Sequence, residues 1–417
     1  MPQPVVVPFE LFRQTSLYTQ VEYWVDEFAA VWKQCPTTRF PFQERFTTAQ
    51  QQKRERYLHT FIHNLQSERR HPNALFETTE LQERLFSQVR TFFQGALGFS
   101  RGQLNVLLDV GFKESTKAFV HQARHFDPSL TAADMFQACR NVWIMNGIQL
   151  MLGLEVKFRP SIFAYSMLYP YTDNYLDDTS ISSFEKREFN DRFAQRLAGV
   201  PVTPQNSHEH AIFSLVGWIE DEWDRQQVPE VFESLLAIHQ AQSKSVALLG
   251  HAEVSRDNIL RISLEKGGTS VLADGYLVAG ALTREQGRWL FGYGAYLQFL
   301  DDVQDLHQDA LHGQNTVFTR CQDSNELESE TNRAFHFGGA LLRGAPGFSV
   351  SATSVYLRIM RSCIPLMLIE AVGLADDYFS SAYRRELEAV SLFRFSELRR
   401  LKNEHSPYYI SMFGKLI

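Results

Sequence analysis

The segment from 169 to 178 reads Tyr-Pro-Tyr-Thr-Asp-Asn-Tyr-Leu-Asp-Asp. Asp173 and Asp177 are four residues apart, so on a helix their carboxylates lie on one face, one turn apart. Two like charges at that spacing destabilise a helix by roughly 0.2–0.5 kcal/mol unless a positive partner lies between them. Carboxylate oxygens suit Mg²⁺ and Mn²⁺, and a hard divalent cation is the simplest such partner.

A second segment of the same kind follows 128 residues later. Residues 298 to 305 read Gln-Phe-Leu-Asp-Asp-Val-Gln-Asp, and Asp301 and Asp305 repeat the four-residue spacing. Both segments lie among aromatic and apolar residues. Two such clusters in one chain indicate a shared metal site more strongly than either does alone.

Helical periodicity recurs along almost the whole chain, and alternating strand patterns are nearly absent. Apolar residues in 17–34 repeat at the i, i+3, i+4, i+7 spacing, 131–153 is a long apolar segment, and the acidic helices are expected at about 161–178 and 283–310. Gly267-Gly268 predicts a kink or a close backbone approach, and 336–351 is expected to be irregular.

These patterns predict an all-α protein with one large helical bundle and the active-site cavity between core helices. No repeat or convincing linker divides the 417 residues. We therefore expect a single domain, with N-terminal helices in 1–125, a core that carries both acidic segments in 126–320 and C-terminal helices in 321–417.

Composition narrows the classes of function. Hydrophobic residues make up 44% of the chain and charged residues 21%, as in soluble globular proteins. The net charge of −7 argues against nucleic acid as a partner. No apolar run is long enough for a membrane span, the N-terminus does not resemble a signal peptide, and the four cysteines are widely spaced, so we expect a cytoplasmic protein.

If the two acidic helices face each other, six carboxylates meet at the mouth of a cavity: Asp173, Asp177, Asp178, Asp301, Asp302 and Asp305. So many negative charges require cations. Mg²⁺ prefers one or two carboxylates together with substrate phosphate oxygens, so the residues predict a diphosphate bridged by more than one Mg²⁺, with Mn²⁺ as a possible substitute. The Phe, Tyr, Leu and Val residues below this mouth predict a hydrophobic pocket. A charged head and an apolar body describe a prenyl diphosphate.

The paired motifs resemble those of the class I isoprenoid synthases. Gln298, Asp301 and Asp305 match the Q-x-x-[ND]-x-x-x-D pattern of the squalene and phytoene synthase branch, and the segment 169–178 is similar to the first motif of bacterial large-terpene (class IB) synthases. The likeness has motif support over about 130–320. There is no N-D-x-x-S-x-x-x-E motif, and the second aspartate cluster takes its place.

The resemblance implies a terpene synthase that ionises a linear prenyl diphosphate of fifteen or more carbons and releases pyrophosphate. Basic residues would neutralise the departing diphosphate, and the candidates are Lys266, Arg256 and Arg261. Aromatic faces would shield the carbocation. The candidates for contact with the substrate are Phe163, Tyr165, Tyr169, Tyr175, Tyr296 and Phe299, together with Gln298.

Two alternatives remain open at this stage. A prenyltransferase of the squalene or phytoene type would join two prenyl diphosphates and give a product with twice the carbons. A non-catalytic helical protein would use the same aspartates to hold a metal or a partner. The chain is expected to act as a monomer or a homodimer.

Overall fold

The computed structural model describes residues 12–69, 79–177, 181–250 and 254–403, with the side chains of 65–69, 79–83, 85, 132, 169, 170, 173, 174, 176, 177 and 183 outside that description. Sixteen α-helices and no strand occur in the described residues, which confirms the all-α prediction. The helices are α1 Ser16–Gln34, α2 Thr48–Arg69, α3 Thr79–Phe92, α4 Arg101–Leu108, α5 Phe112–Phe126, α6 Ala132–Met151, α7 Pro160–Asp177, α8 Ser183–Leu197, α9 Ser207–Glu222, α10 Pro229–Ser245, α11 Arg256–Ala279, α12 Arg284–Gln304, α13 Leu306–His312, α14 Ser324–Leu341, α15 Ser351–Leu374 and α16 Ser381–Glu388.

The helix pair α11 and α12 forms the centre of the bundle and makes its most extensive helix–helix contact. The two helices touch backbone to backbone, because a Cβ atom added to Gly294 would lie 2.0 Å from the carbonyl oxygen of Gly267. Gly268 lies directly against the side-chain ring of Phe291. The glycine pair therefore marks a close approach inside one continuous helix.

Helix α1 covers one side of α12 with aromatic rings. The centroids of Trp32 and Phe299 are 4.1 Å apart, and Phe28 stacks on Phe291 at 5.9 Å. Trp32 is 2% exposed and Phe299 is fully buried, so this contact belongs to the main hydrophobic cluster. The predicted apolar stripe of 17–34 is the stripe that makes it.

Side-chain caps fix where two of the core helices begin. Thr131 caps α6 and forms a capping box with Asp134, and Thr283 does the same for α12 with Gln286. Helix α7 runs through position 170 as one element. The predicted helix at 283–310 is instead two helices, because α12 ends at Gln304 and α13 begins at Leu306.

The prediction of irregular structure from 336 onward was wrong for the first part of that segment. Helix α14 extends through Gly338 and Gly339 to Leu341. A Cβ atom at Gly338 would lie 2.0 Å from the Tyr296 ring, and one at Gly339 would lie 2.9 Å from Phe40. These glycines let two aromatic rings approach the helix.

A smaller hydrophobic cluster lies apart from the main core, where α2 meets the C-terminal segment. It includes Leu58, Ile62, Phe393 and Leu401. Polar contacts surround it: the Arg394 guanidinium donates to the nearly buried carboxylate of Glu55 at 2.6 Å, and the side chains of His59 and Glu397 are 2.6 Å apart. The N-terminal helix α2 thereby holds residues 394–401 in place.

Among the described residues, no helix combines the length and apolar character that crossing a membrane would require.

Candidate functional site

Helix α11 runs antiparallel to both α7 and α12. The position of each acidic segment along the bundle axis can therefore be given by the α11 residues that lie level with it. The Ser161 hydroxyl donates to the Leu277 carbonyl at 3.0 Å, and the Tyr165 hydroxyl donates to the Ser270 carbonyl at 3.3 Å. Continuing both helices residue for residue places the backbone of position 173 level with about residues 262–265 of α11.

The contacts of α12 give the same level for the second segment. Gly294 lies against Gly267 and Val271, and Gly275 lies against Leu290. Continuing that antiparallel register places Asp301 level with about residues 262–264 of α11. The two acidic segments therefore reach the same height on α11, at the end of the bundle where α7 and α12 both finish.

Asp301 and Asp305 are the solvent-accessible carboxylates of the second segment. The Asp301 side chain is 47% exposed and lies 3.7 Å from the guanidinium of Arg140 on α6. Asp305 is the first residue beyond α12, and its backbone N–H donates to the Asp301 carbonyl at 2.9 Å. Partial desolvation and the charge of Asp301 raise the pKa of Asp305, while Arg140 and Lys402 oppose the rise.

Asp302 and Asp309 complete the acidic end of this helix pair. The Gln298 amide donates to one oxygen of Asp302 at 2.8 Å, and the other oxygen is buried without a hydrogen-bond partner in the described part of the chain. Burial raises the pKa of Asp302 to about 8. Burial and the charges of Asp305 and Asp301 raise the pKa of Asp309 to about 7.

Basic side chains from three different elements contribute to this acidic end. Arg140 comes from α6, Lys266 from α11 and Lys402 from the helical segment 395–403. The positive charge of Lys266 lowers the pKa of both Asp302 and Asp309. The predicted Lys266 is therefore brought close to the aspartates, as are Arg140 and Lys402.

The structure does not bring Arg256 and Arg261 to the same place. Arg256 pairs with Glu326 on α14, and a second guanidinium N–H donates to the Arg320 carbonyl at 2.9 Å. Arg261 pairs with Asp26 on α1 at 2.5 Å. Both guanidinium groups already have an acidic partner on another helix.

Of the four aromatic candidates on α7, three have side chains that the structure describes, and these three contact different neighbours. Phe163 is buried against Trp218 of α9, with ring centroids 4.8 Å apart. Tyr165 is buried against α11 through its hydroxyl. Tyr175 stacks on His208, with ring centroids 5.0 Å apart. Of the three, Tyr165 is the one that contacts the central helix pair.

Three further substrate-binding candidates lie on α12. Gln298 hydrogen-bonds to Asp302 and is part of the acidic end. Tyr296 is fully buried next to Phe337, and its hydroxyl has no hydrogen-bond partner in the described residues. Phe299 packs against Trp32, as part of the contact between α1 and α12.

The first acidic segment is only partly described. The backbone of positions 173 and 177 belongs to α7, whereas the side chains of Asp173, Asp177 and Tyr169 lie outside the described set, and Asp178 lies outside it altogether. In the described part of the chain, no three His, Cys, Asp or Glu side chains are grouped so that they could hold a metal ion.

The donor chemistry of the second segment fits divalent cations. Asp301 and Asp305 offer accessible carboxylate oxygens, which are the ligands that Mg²⁺ and Mn²⁺ prefer. Asp302 has a buried oxygen without a partner. Burial and the mutual repulsion of these acids raise the pKa of Asp302, Asp305 and Asp309, and a bound cation would relieve that repulsion.

Arg140, like Asp309 and Lys402, belongs to the acidic end but was not among the site residues predicted from the sequence. It is the one charged residue between Asp134 and Glu155 in an otherwise apolar and polar-neutral segment. An isolated charge in a helix expected to be buried is itself a signal, because a buried charge needs a partner. Its partner, Asp301, is far away in sequence and becomes its neighbour only in the folded bundle.

Comparisons of the chain with protein-family models and with curated proteins found no match in either set.

Proposed function

We propose that the protein is a class I terpene synthase that ionises a linear prenyl diphosphate of fifteen or more carbons and releases pyrophosphate. The observation that carries the proposal is the common height of the two acidic segments on α11, derived from the backbone registers of α7 and α12. An arrangement of this kind suits a ligand that needs carboxylates from both sides. The repeated four-residue spacing of the aspartates supports the same ligand.

The proposed division of roles follows from the chemistry of the side chains. Asp301 and Asp305, with Asp173 and Asp177, would hold the metal ions, and Gln298 would orient Asp302 through its hydrogen bond. Bound Mg²⁺ would act as a Lewis acid on the diphosphate. The carbon–oxygen bond to the allylic carbon would break, with its electron pair leaving on pyrophosphate.

Arg140 and Lys266 would neutralise the negative charge that develops on the leaving diphosphate. Both come from helices next to the acidic end, and neither requires a change in the fold to face it. Lys402 would add a third positive charge from the C-terminal segment. Preorganised charges of this kind stabilise a transition state without the cost of reorienting water.

Turnover tests the proposal directly. Purified protein would be incubated with farnesyl, geranylgeranyl and geranylfarnesyl diphosphates and Mg²⁺, with pyrophosphate release and product mass as the readouts. We expect release from at least one substrate, with a product of unchanged carbon number. A product with twice the carbons would instead support the coupling reaction.

The matched variants are Asp301→Asn and Asp257→Asn. Asp257 also lies near this end of α11, but it pairs with Lys33 on α1. Loss of turnover in Asp301→Asn with retention in Asp257→Asn supports the assignment. Absence of pyrophosphate release from all three diphosphates contradicts it.

A further inference from the structure

Asp274 is a buried acid that the proposed diphosphate site does not use. It lies in the middle of α11 and is 0% exposed, and apart from an interaction with the Asn141 amide neither carboxylate oxygen has a hydrogen-bond partner in the described residues. Buried polar groups are almost always fully paired, so a buried carboxyl with so few partners points to a missing ligand, a water molecule or a catalytic role.

The position of Asp274 relates it to the acidic end. Lys266, Ser270 and Asp274 follow one another at four-residue spacing, so they share one face of α11. Asp274 is eight residues below Lys266, about 12 Å along the helix axis. The same face that carries Lys266 toward the aspartates therefore carries Asp274 down into the bundle.

Helix α12 places a second polar group within about one turn of that depth. Tyr293 precedes Asp301 by eight residues, so the register of the two helices places it level with about residues 270–272 of α11. Tyr293 is 6% exposed, and burial raises its pKa, with nearby groups that include Asp274 adding to the rise. Two antiparallel helices thus bring an acid and a phenol together, well below the charged mouth.

Helices α6 and α7 add hydrogen-bonding groups to the same region. The Asn141 amide donates to the Ser166 hydroxyl at 3.2 Å, and it also faces Asp274, because it opposes the effect of burial on the pKa of that carboxyl. Burial is the larger effect and raises the pKa of Asp274 well above its ordinary value. This shift favours the protonated carboxyl, which can both donate and accept hydrogen bonds.

We propose that Asp274, with Asn141 and Ser166, forms an internal site for one water molecule, and that this water adds to the carbocation so that the product is a terpene alcohol. A carboxyl, an amide and a hydroxyl are a set of partners suited to a buried water, which typically makes about three hydrogen bonds. The inference rests on the proposed function, because ionisation must supply the cation.

The overall reaction is a hydrolysis of the prenyl diphosphate. The carbocation can cyclise before water adds to it. The water oxygen forms a bond to the cationic carbon, one O–H bond breaks, and the proton is taken up by the pyrophosphate released in the same turnover. No oxidant or reductant is needed. Asp274 acts here as a water-positioning residue and keeps its own proton throughout.

Isotope labelling tests the inference. Turnover in H₂¹⁸O would be measured for the unmodified protein, Asp274→Leu, Asp274→Asn and the control Thr269→Val, with pyrophosphate release recorded in parallel. Thr269 is buried on the same helix, but its hydroxyl is bonded to the Glu265 carbonyl at 2.6 Å. Urea unfolding of each variant would establish that it is folded.

We expect an ¹⁸O-labelled alcohol from the unmodified protein and from Thr269→Val. In Asp274→Leu the fraction of alcohol should fall about tenfold in favour of hydrocarbon, the effect of losing roughly one well-formed hydrogen bond. Asp274→Asn, which still offers hydrogen-bonding groups, should lose less. Pyrophosphate release should continue in all four proteins.

Two results overturn the inference while leaving the proposed function intact. One is pyrophosphate release with only hydrocarbon as product in the unmodified protein. The other is an unchanged fraction of labelled alcohol in folded Asp274→Leu, or, if that variant does not fold, an unchanged fraction in Asp274→Asn. Absence of pyrophosphate release from every diphosphate overturns both proposals together.

Discussion

The helix pair α11 and α12 is built on opposite principles at its crossing and at its acidic end. At the crossing, Gly267 and Gly294 let the two backbones touch, and the surrounding side chains are buried and apolar. At the acidic end, four carboxylates crowd together and three of them have a raised pKa. The crossing gives close packing of the two helices, whereas the acidic end keeps the negative charges of neighbouring carboxylates close together.

The difference shows where stability and binding capacity are located. Close packing fixes the register of α11 against α12, and that register determines the height at which Asp301 faces its neighbours. The carboxylates contribute little to folding on their own, because like charges repel and burial disfavours their ionised forms. A change at the crossing should therefore affect stability, and a change at the acidic end should affect binding.

The largest effect is expected from Gly294→Ala. The added Cβ atom would lie 2.0 Å from a backbone oxygen, so the helices must separate. We expect a loss of about 3 kcal/mol in the free energy of unfolding, which exceeds the gain of about 1 kcal/mol in helix propensity. Urea unfolding measures it.

The control for that variant is Gly344→Ala, where an added Cβ atom would meet nothing within 4 Å. It should change the free energy of unfolding by less than about 0.5 kcal/mol. Equal stability of the two variants would show that the glycine contact does not hold the helix pair together.

The next effect concerns the cationic residues of the acidic end. Arg140→Met and Lys266→Met should each weaken Mg²⁺-dependent binding of pyrophosphate by about tenfold to a hundredfold, the usual range for a hydrogen bond to a charged group. Isothermal titration calorimetry measures the affinity.

Arg256→Met and Arg261→Met are the matched controls, because their guanidinium groups pair with Glu326 and Asp26. Both should bind pyrophosphate as the unmodified protein does. A tenfold loss in either control would return that arginine to the diphosphate site, where the sequence analysis placed it as a candidate.

Asp274→Asn should stabilise the protein in a way that depends on pH. Burial raises the pKa of Asp274 in the folded state, whereas in the unfolded chain the acid ionises above about pH 4. Its contribution to stability is fully present below that pH and is lost as the pH rises toward the raised pKa of the folded state. The advantage of Asn over Asp should therefore grow as the pH rises above about 4.

Thermal unfolding from pH 4 to 8 measures this difference. Exposed Asp191→Asn serves as the control and should show no comparable trend. A stability difference for Asp274→Asn that is constant across this range would mean that the carboxyl ionises equally in both states.

The smallest effect is expected where α2 holds the C-terminal segment. Hydrogen bonds from Arg400 and His59 lower the pKa of Glu397 to about 2. The stabilisation is present above the ordinary Glu pKa of about 4.3 and is lost as the pH falls toward 2. Because Arg400 and His59 are partly exposed, we expect only about 1 kcal/mol.

Glu397→Gln should remove this acid-dependent part of the stability. Its unfolding free energy would fall less steeply than that of the unmodified protein between pH 4.3 and 2. Parallel curves over that range would contradict the assigned pairing.

Local patterns predicted the fold class and the close approach at Gly267-Gly268, but they misjudged Gly338-Gly339, which lies inside a helix. The periodicity of 17–34 and the capping box at Thr131 depend on neighbouring residues, which the sequence shows directly. The pairs Gly267-Gly268 and Gly338-Gly339 lie inside helices. Each pair makes room for a group from another part of the chain, so its role can be recognised only in the folded structure. Tyr296 and the backbone of α12 are those partners, and no local pattern identifies them.

The same limit applies to the site. The spacing of Asp301 and Asp305 is visible in the sequence, whereas the contact of Arg140 with Asp301 depends on how α6 packs in the bundle. Arg256, Arg261 and Lys266 were all candidates for binding the diphosphate. They lie on different faces of α11, so only Lys266 points to the aspartates.

The most direct test is whether the two acidic segments bind metal together. Binding of Mn²⁺ in the presence of pyrophosphate would be followed by electron paramagnetic resonance for the unmodified protein, Asp173→Asn, Asp301→Asn and the double variant. A shared site predicts that each single variant loses most of the tight binding and that the double variant loses much less than the sum of the two. Binding that is unchanged in Asp173→Asn, or losses that simply add, would contradict a site shared by α7 and α12.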